Sequence, residues 1–219
     1  MKTLKSILEG WKEDNSDNKK ERNNKNFDNH NKFVSKHYNK YNSTQQESIY
    51  HYKEGSNIND YLWKSHKGDY RKIPYHEKDE FGYHSEVLDD AMNVHKTPHK
   101  MILYSGTRHD PRELMNKEGI VHHPAYLSTS TNRDIAERFS THNLLPDKGG
   151  MRRHHVYKIH VPENQGGIAI PNDDEKYENE LVLPRDTNMK YIKTETRGES
   201  DVLGNSKKIY HIHHMKVLK

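Results

Sequence analysis

Upstream of residue 100 the patterned stretches repeat like helices; downstream of it most alternate like strands. That order argues against alternating βαβ units and for an α+β fold, with N-terminal helices followed by mostly antiparallel sheets. IYHYKEGSNINDYLW reads as two short helices broken at Gly55-Ser56, with Ile58, Tyr61 and Leu62 on one face. HSEVLDDAMNVHKT reads as an amphipathic helix, turning Val87, Leu88, Ala91 and Met92 inward and stopped by Pro98. KMILYSGTR is then a strand by its β-branched and aromatic content. DPREL opens a short helix, with Asp110 as N-cap, Pro111 in the first turn and Glu113 three residues on.

HPAYLSTST is a second strand ending in hydroxyls, and RDIAERFSTH a helix with Ile135, Ala136 and Phe139 inward. HNLLPDKGG is a loop. HHVYKIHVP alternates, placing Tyr157, Ile159 and Val161 on one face, and GGIAIP, ELVLP, NMKYIKTE and KKIYHIHHMKVL supply four more strands.

Not all of the chain can be packed core, because only 30% of it is hydrophobic and 31% is charged. Residues 10–45, rich in Asn, Lys and Asp, cannot bury enough surface to offset ordering entropy. The division expected is a leader and flexible polar segment over 1–47 and a catalytic domain over 48–219. A net charge of +4 is compatible with an anionic ligand but too weak to argue for nucleic acid. No cysteine is present, so neither a disulfide framework nor thiolate chemistry is available. No apolar run is long enough to span a membrane. Neither GxGxxG nor GxxxxGK[ST] occurs, so a dinucleotide would bind without a Rossmann or P-loop cradle.

The stretch YENELVLPR sets Glu178 and Glu180 one residue apart at the start of a strand, on one face by simple alternation. Like charges that close repel unless a cation lies between them. Three pieces occur in order: the strand LYSGTR, the strand end Ser128-Thr129-Ser130, and Glu178-x-Glu180 followed by Leu-Pro-Arg. This set, with its flanks over about residues 48–217, resembles the arginine-type mono-ADP-ribosyltransferases, whose signature is Arg, Ser-Thr-Ser and Glu-x-Glu.

The resemblance implies two packed, mostly antiparallel sheets with NAD as co-substrate in the cleft between them, and no metal. It implies transfer of ADP-ribose to arginine on a protein. Glu180 would stabilise the oxocarbenium charge on the ribose, and Ser128 would brace Glu180. Glu178 would hold the acceptor guanidinium and help remove its proton, so the cation between the two glutamates would be the substrate. Tyr104, Gly106, Ser128, Thr129 and Ser130 fall in the cofactor-binding set, with Ser130 supporting Ser128 and Thr129 pointing the other way. Tyr177 is the residue expected to contact the acceptor protein. The family's Arg stands between the aromatic and the Gly, where this chain has Ser105. The phosphate role therefore passes to Arg108, brought round by a bulge at Gly106, or to Arg152 or Arg153.

Histidines cluster at His122-His123, His154-His155 and His211-x-His213-His214. With no carboxylate at suitable spacing after the last set, they read as solvated strand faces rather than metal ligands. MKTLKSILE, followed by Gly10, resembles the capsid-targeting leaders of proteins packaged in heads of large tailed bacteriophages, or it is a frayed helix. The leader reading implies a virion-head protein, released into the host cytoplasm, that modifies transcription or translation proteins. The competing functions are NAD glycohydrolysis, transfer from NAD-capped RNA, and a non-catalytic basic DNA-associated head protein.

Overall fold

Among the described residues, Asn42 starts the first full helix by a reciprocal cap: its side chain accepts from Gln45 N at 2.9 Å, and the Gln45 side chain accepts from Asn42 N at 3.1 Å. Helix α1 (Ser43–Glu54) therefore begins ahead of Ser48, and Tyr41 before it is already buried in the core. In this computed structural model the described residues are 34 and 38–218, apart from 56, 95, 108–109, 142–151, 172–177 and 201–206. The leader over residues 1–9 and most of the polar segment lie outside them.

Helix α2 (Asn57–His66) follows the break at Gly55, as expected. Helix α3 (Tyr75–Val94) starts at Tyr75 rather than His84, directly after Pro74. Its first turns are polar and carry no apolar stripe to read; they are held by packing, with Phe81 against Tyr61 of α2. Val87 is only half-buried, and the inward face is His84, Ser85, Leu88, Ala91 and Met92. Ile49, Tyr52, Ile58, Leu62, Leu88 and Met92 make a helical core that packs on Tyr126, Ile168, Ile170 and Val182 of the sheet side. Burial of each such side chain is worth about 1.5–3 kcal/mol. None of the described helices is long and apolar enough to cross a membrane.

The strands are β1 (Met101–Thr107), β2 (Ile120–His123), β3 (Leu127–Ser130), β4 (Arg152–Val161), β5 (Ile168–Ala169), β6 (Glu180–Leu183), β7 (Thr187–Ser200) and β8 (Lys207–Val217). They form one ladder in the order β2-β7-β8-β4-β1-β3-β6-β5, in which only β4 and β8 run parallel. β1 and β3 share a single registered pair, Tyr104↔Ser130. The ladder turns there, and its two portions face each other across a common core. Leu103, Tyr157, Ile159 and Met215 come from one side of that core, and Leu127, Leu181 and Leu183 from the other. Strand β2 was not legible in the sequence, because IVHH is short and its ladder partner is the distant β7.

Helix α4 (Arg133–Thr141) covers the other face of β1 and β4, burying Ile135 and Ala136. A Cβ on Gly106 would stand 2.0 Å from the Ala136 carbonyl oxygen and 2.6 Å from Ser140 N, so glycine is required for this helix to lie on β1. The bulge expected there is absent: β1 and β4 stay in unbroken register from Met101↔Val161 to Thr107↔His155. Phe139, expected inward, is 47% exposed.

Candidate active site

A cleft of about 770 Å³ opens where the helices meet the turn of the ladder. That is ample for a small-molecule or cofactor site. Every described residue of the expected set lines it: Tyr104, Gly106, Ser128, Thr129, Ser130, Glu178 and Glu180. So does Phe139, which explains why that ring is turned outward. Arg108 and Tyr177 lie outside the described residues. Arg152 and Arg153 open β4, paired in register with Lys208 and Ile209 of β8. Among the described residues lining the cleft, Lys53 is the only lysine or arginine.

Glu180 is the first residue of β6 and sits directly across from Ser130. Its carboxyl is pushed up to about 7. Burial is the main cause; the Ser128 hydroxyl, bonded to it, works against the rise, the Glu178 charge adds to it, and Lys53 opposes it. Glu178 and Glu180 do not share a strand face as simple alternation expects. Glu178 precedes β6, and Asn179 between them is buried in the left-handed region at φ 48°. A turn and a strand end, rather than one pleat, present the two carboxylates to the same cleft.

The hydroxyl motif divides its work. Ser128 Oγ faces the cleft and lies 2.7 Å from Tyr52 OH. Asn59 Nδ2 donates to Tyr52 OH at 3.2 Å and to the Tyr126 carbonyl at 3.1 Å, while Asn59 Oδ1 accepts from Tyr126 N at 3.0 Å. An amide nitrogen can only donate, so the donors run one way: Asn59 to Tyr52, Tyr52 to Ser128, Ser128 to the Glu180 carboxylate. Ser130 Oγ donates to the Glu178 carbonyl at 2.5 Å and accepts from Asn132 N at 2.9 Å, which fixes both the glutamate turn and the start of α4. Thr129 Oγ1 donates to the Leu181 carbonyl and ties β3 to β6, the structural role its direction implied.

Sequence reasoning missed Tyr52, Asn59, Lys53 and Trp63, all in the cleft wall. Tyr52 and Asn59 sit on two different helices, and nothing in their spacing announces that Tyr52 reaches Ser128 and Asn59 reaches Tyr126. The arginine of the Leu-Pro-Arg run is structural. Arg185 pairs with Asp89 of α3 (Nε at 2.9 Å and Nη2 at 2.5 Å from Oδ2), and Asp89 also accepts from Tyr126 OH at 2.7 Å.

Solved structures that share this fold include ADP-ribosyltransferases. Plx2a, an ADP-ribosyltransferase toxin from Paenibacillus larvae, superposes with a TM-score of 0.63 at 19% identity, over 90% of this chain and 97% of that one. Vis toxin, an ADP-ribosyltransferase from Vibrio splendidus, gives 0.60 at 16% identity over 95% and 88%. The enzymatic component C2-I of the C2 toxin from Clostridium botulinum gives 0.60 at 15% identity over 84% of this chain and 46% of that one. No curated protein sequence matches significantly. The match to the ADP-ribosyltransferase exoenzyme family runs over residues 11–216, and the chain belongs to that family. Its co-substrate is NAD.

Proposed function

We propose that the protein transfers ADP-ribose from NAD to an arginine of a protein acceptor. The supporting observation is the pair of glutamates in one cleft, of which Glu180 alone is held by the chain from Asn59 to Ser128. The bond that breaks joins ribose C1′ to the nicotinamide nitrogen, and the bond that forms joins C1′ to a guanidino nitrogen. Nicotinamide leaves neutral, and the guanidinium gives up one proton. Glu180 as carboxylate offsets the positive charge growing on the ribose, and Ser128 keeps it aimed. Glu178, at the turn, holds the acceptor guanidinium and takes its proton, a contribution of about 10²–10⁴-fold in enzymes generally. Lys53 is the cation the described cleft offers to the pyrophosphate, beside the Arg108 expected from the sequence. An arginine acceptor also fits the Vis structure solved with agmatine, a guanidinium compound, at 17% identity and a TM-score of 0.62.

The test uses labelled NAD with agmatine and with bacterial lysate. Wild type labels both, Glu180→Gln abolishes labelling and nicotinamide release, and Glu178→Gln loses transfer to agmatine more than nicotinamide release. Equal transfer by wild type and Glu178→Gln would refute the arginine reading; nicotinamide release without labelled acceptor would select glycohydrolysis. We further propose a separate catalytic unit, expected from the sequence over 48–219 and taken back to Tyr41 and the start of α1 by their packing, and a phage-head leader over residues 1–9. Protein recovered from virions then begins at Gly10, and an intact Met1 there refutes the leader.

A further inference from the structure

The histidines of β8 take no part in the cleft, and their spacing along the chain offers no carboxylate. The fold supplies one. Asp110 caps the 3-10 turn Pro111–Leu114 after β1, His155 lies on β4 and His213 on β8. One carboxylate oxygen and two imidazole nitrogens from these three residues lie within 4.8 Å of one another. We propose that Asp110, His155 and His213 bind a divalent transition-metal cation of the zinc class, tying the turn after β1 to the parallel pair β4 and β8.

His155 Nδ1 and His213 Nε2 are 2.9 Å apart, and their rings are 13° from parallel with centroids 5.2 Å apart. His213 is fully buried, and its Nδ1 lies 2.8 Å from Thr194 Oγ1, which is 2.7 Å from Tyr191 OH. With Thr194 accepting from Nδ1–H, the ring is locked with its Nε2 lone pair toward His155 and Asp110, the outer-partner arrangement typical of ligating histidines. Without a cation His155 Nδ1–H donates to that lone pair. With one, His155 carries its proton on Nε2, both rings stay neutral, and no net proton is released.

Tetrahedral bonds of about 2.0–2.2 Å set ligand atoms roughly 3.3–3.5 Å apart, so the histidine pair, 2.9 Å apart, opens by about 0.5 Å. Arg112 already bonds Asp110 through its backbone N (3.0 Å from Oδ1), its Nε (2.9 Å from Oδ1 and 3.0 Å from Oδ2) and its Nη2 on Oδ2. An ionised carboxylate has about four lone-pair sites, so these three donors leave one for the cation. Two imidazoles and one carboxylate suit zinc, cobalt or nickel rather than calcium or magnesium. The other such group, His51, Glu80 and His84, has its first two members exposed and serves as the control.

The experiment uses untagged full-length protein stripped with a chelator and titrated with Zn²⁺ by calorimetry and with Co²⁺ by visible absorption. One tight equivalent is expected, with four-coordinate Co²⁺ bands and a higher melting temperature. Asp110→Asn, which keeps the cap, and His155→Gln each weaken binding at least about 10-fold, while Glu80→Gln does not. Absence of saturable binding overturns the site. So does binding that survives Asp110→Asn and His155→Gln unchanged, or that falls equally in Glu80→Gln.

Discussion

Replacing Glu180 by Gln should remove activity and raise stability in the same protein. In the folded chain this carboxyl stands at about 7 against an ordinary value of 4.5. Between those values the folded state holds more of the proton than the unfolded state does. Stability therefore falls as pH rises from about 4.5 to about 7, and the loss is complete above that. At 1.4 kcal/mol per tenfold the gap amounts to about 3 kcal/mol at pH 8. Gln is nearly isosteric, still accepts from Ser128 and carries no charge, and the carboxylate's stronger bond to Ser128 is already contained in that gap. The expectation is therefore about 3 kcal/mol in favour of Glu180→Gln at pH 8, or roughly 6–12 °C in melting temperature for a chain of this size. At pH 5 the advantage should fall below about 1 kcal/mol. Melting curves of both proteins without NAD, recorded from pH 5 to 8.5, provide the assay. A variant no more stable than wild type at pH 8, or an advantage that does not change with pH, would refute the account of Glu180 as an acid whose charge the fold disfavours.

On the proposed mechanism the same titration governs the reaction, with the carboxylate as the working form, so kcat/KM for NAD should rise with pH through a midpoint near 7, and that ascending limb should be read from pH–rate profiles. Tyr52→Phe cuts the donor chain between Asn59 and Ser128. It should cost about 1 kcal/mol in a denaturant titration and move the ascending limb to higher pH, whereas a purely structural tyrosine would leave the limb in place. Gly106→Ala places a methyl 2.0 Å from the Ala136 carbonyl oxygen and must displace α4. A loss of about 1–3 kcal/mol is expected in thermal melts, with weaker NAD binding because Phe139 on the same helix lines the cleft.

What the sequence disclosed was local. The Ser-Thr-Ser strand end, the glutamate pair and the inward pair Ile135 and Ala136 all carry signals within a few residues of themselves. The fold then brings Ser128 against Glu180 as those signals imply. What stayed hidden depends on distant partners. Tyr52 and Asn59 gain meaning only when α1 and α2 pack on β3, and Phe139 has the spacing of a core residue yet faces a cleft. Asn179 shows no cue for its left-handed backbone, so the two glutamates reach one cavity by a route alternation does not describe. Asp110 and His213 are a hundred residues apart in the chain, beyond any spacing rule, and meet only because β1 and β8 flank β4.

The join between β1 and β3 has a mechanical consequence. One registered rung, Tyr104↔Ser130, joins the halves of the ladder beside the cleft. A single rung fixes the angle between the halves less firmly than a long ladder would, so that angle is set by the side chains of their common core. Because Ser130 is also bonded to the glutamate turn, a substitution that changes that angle reaches Glu178.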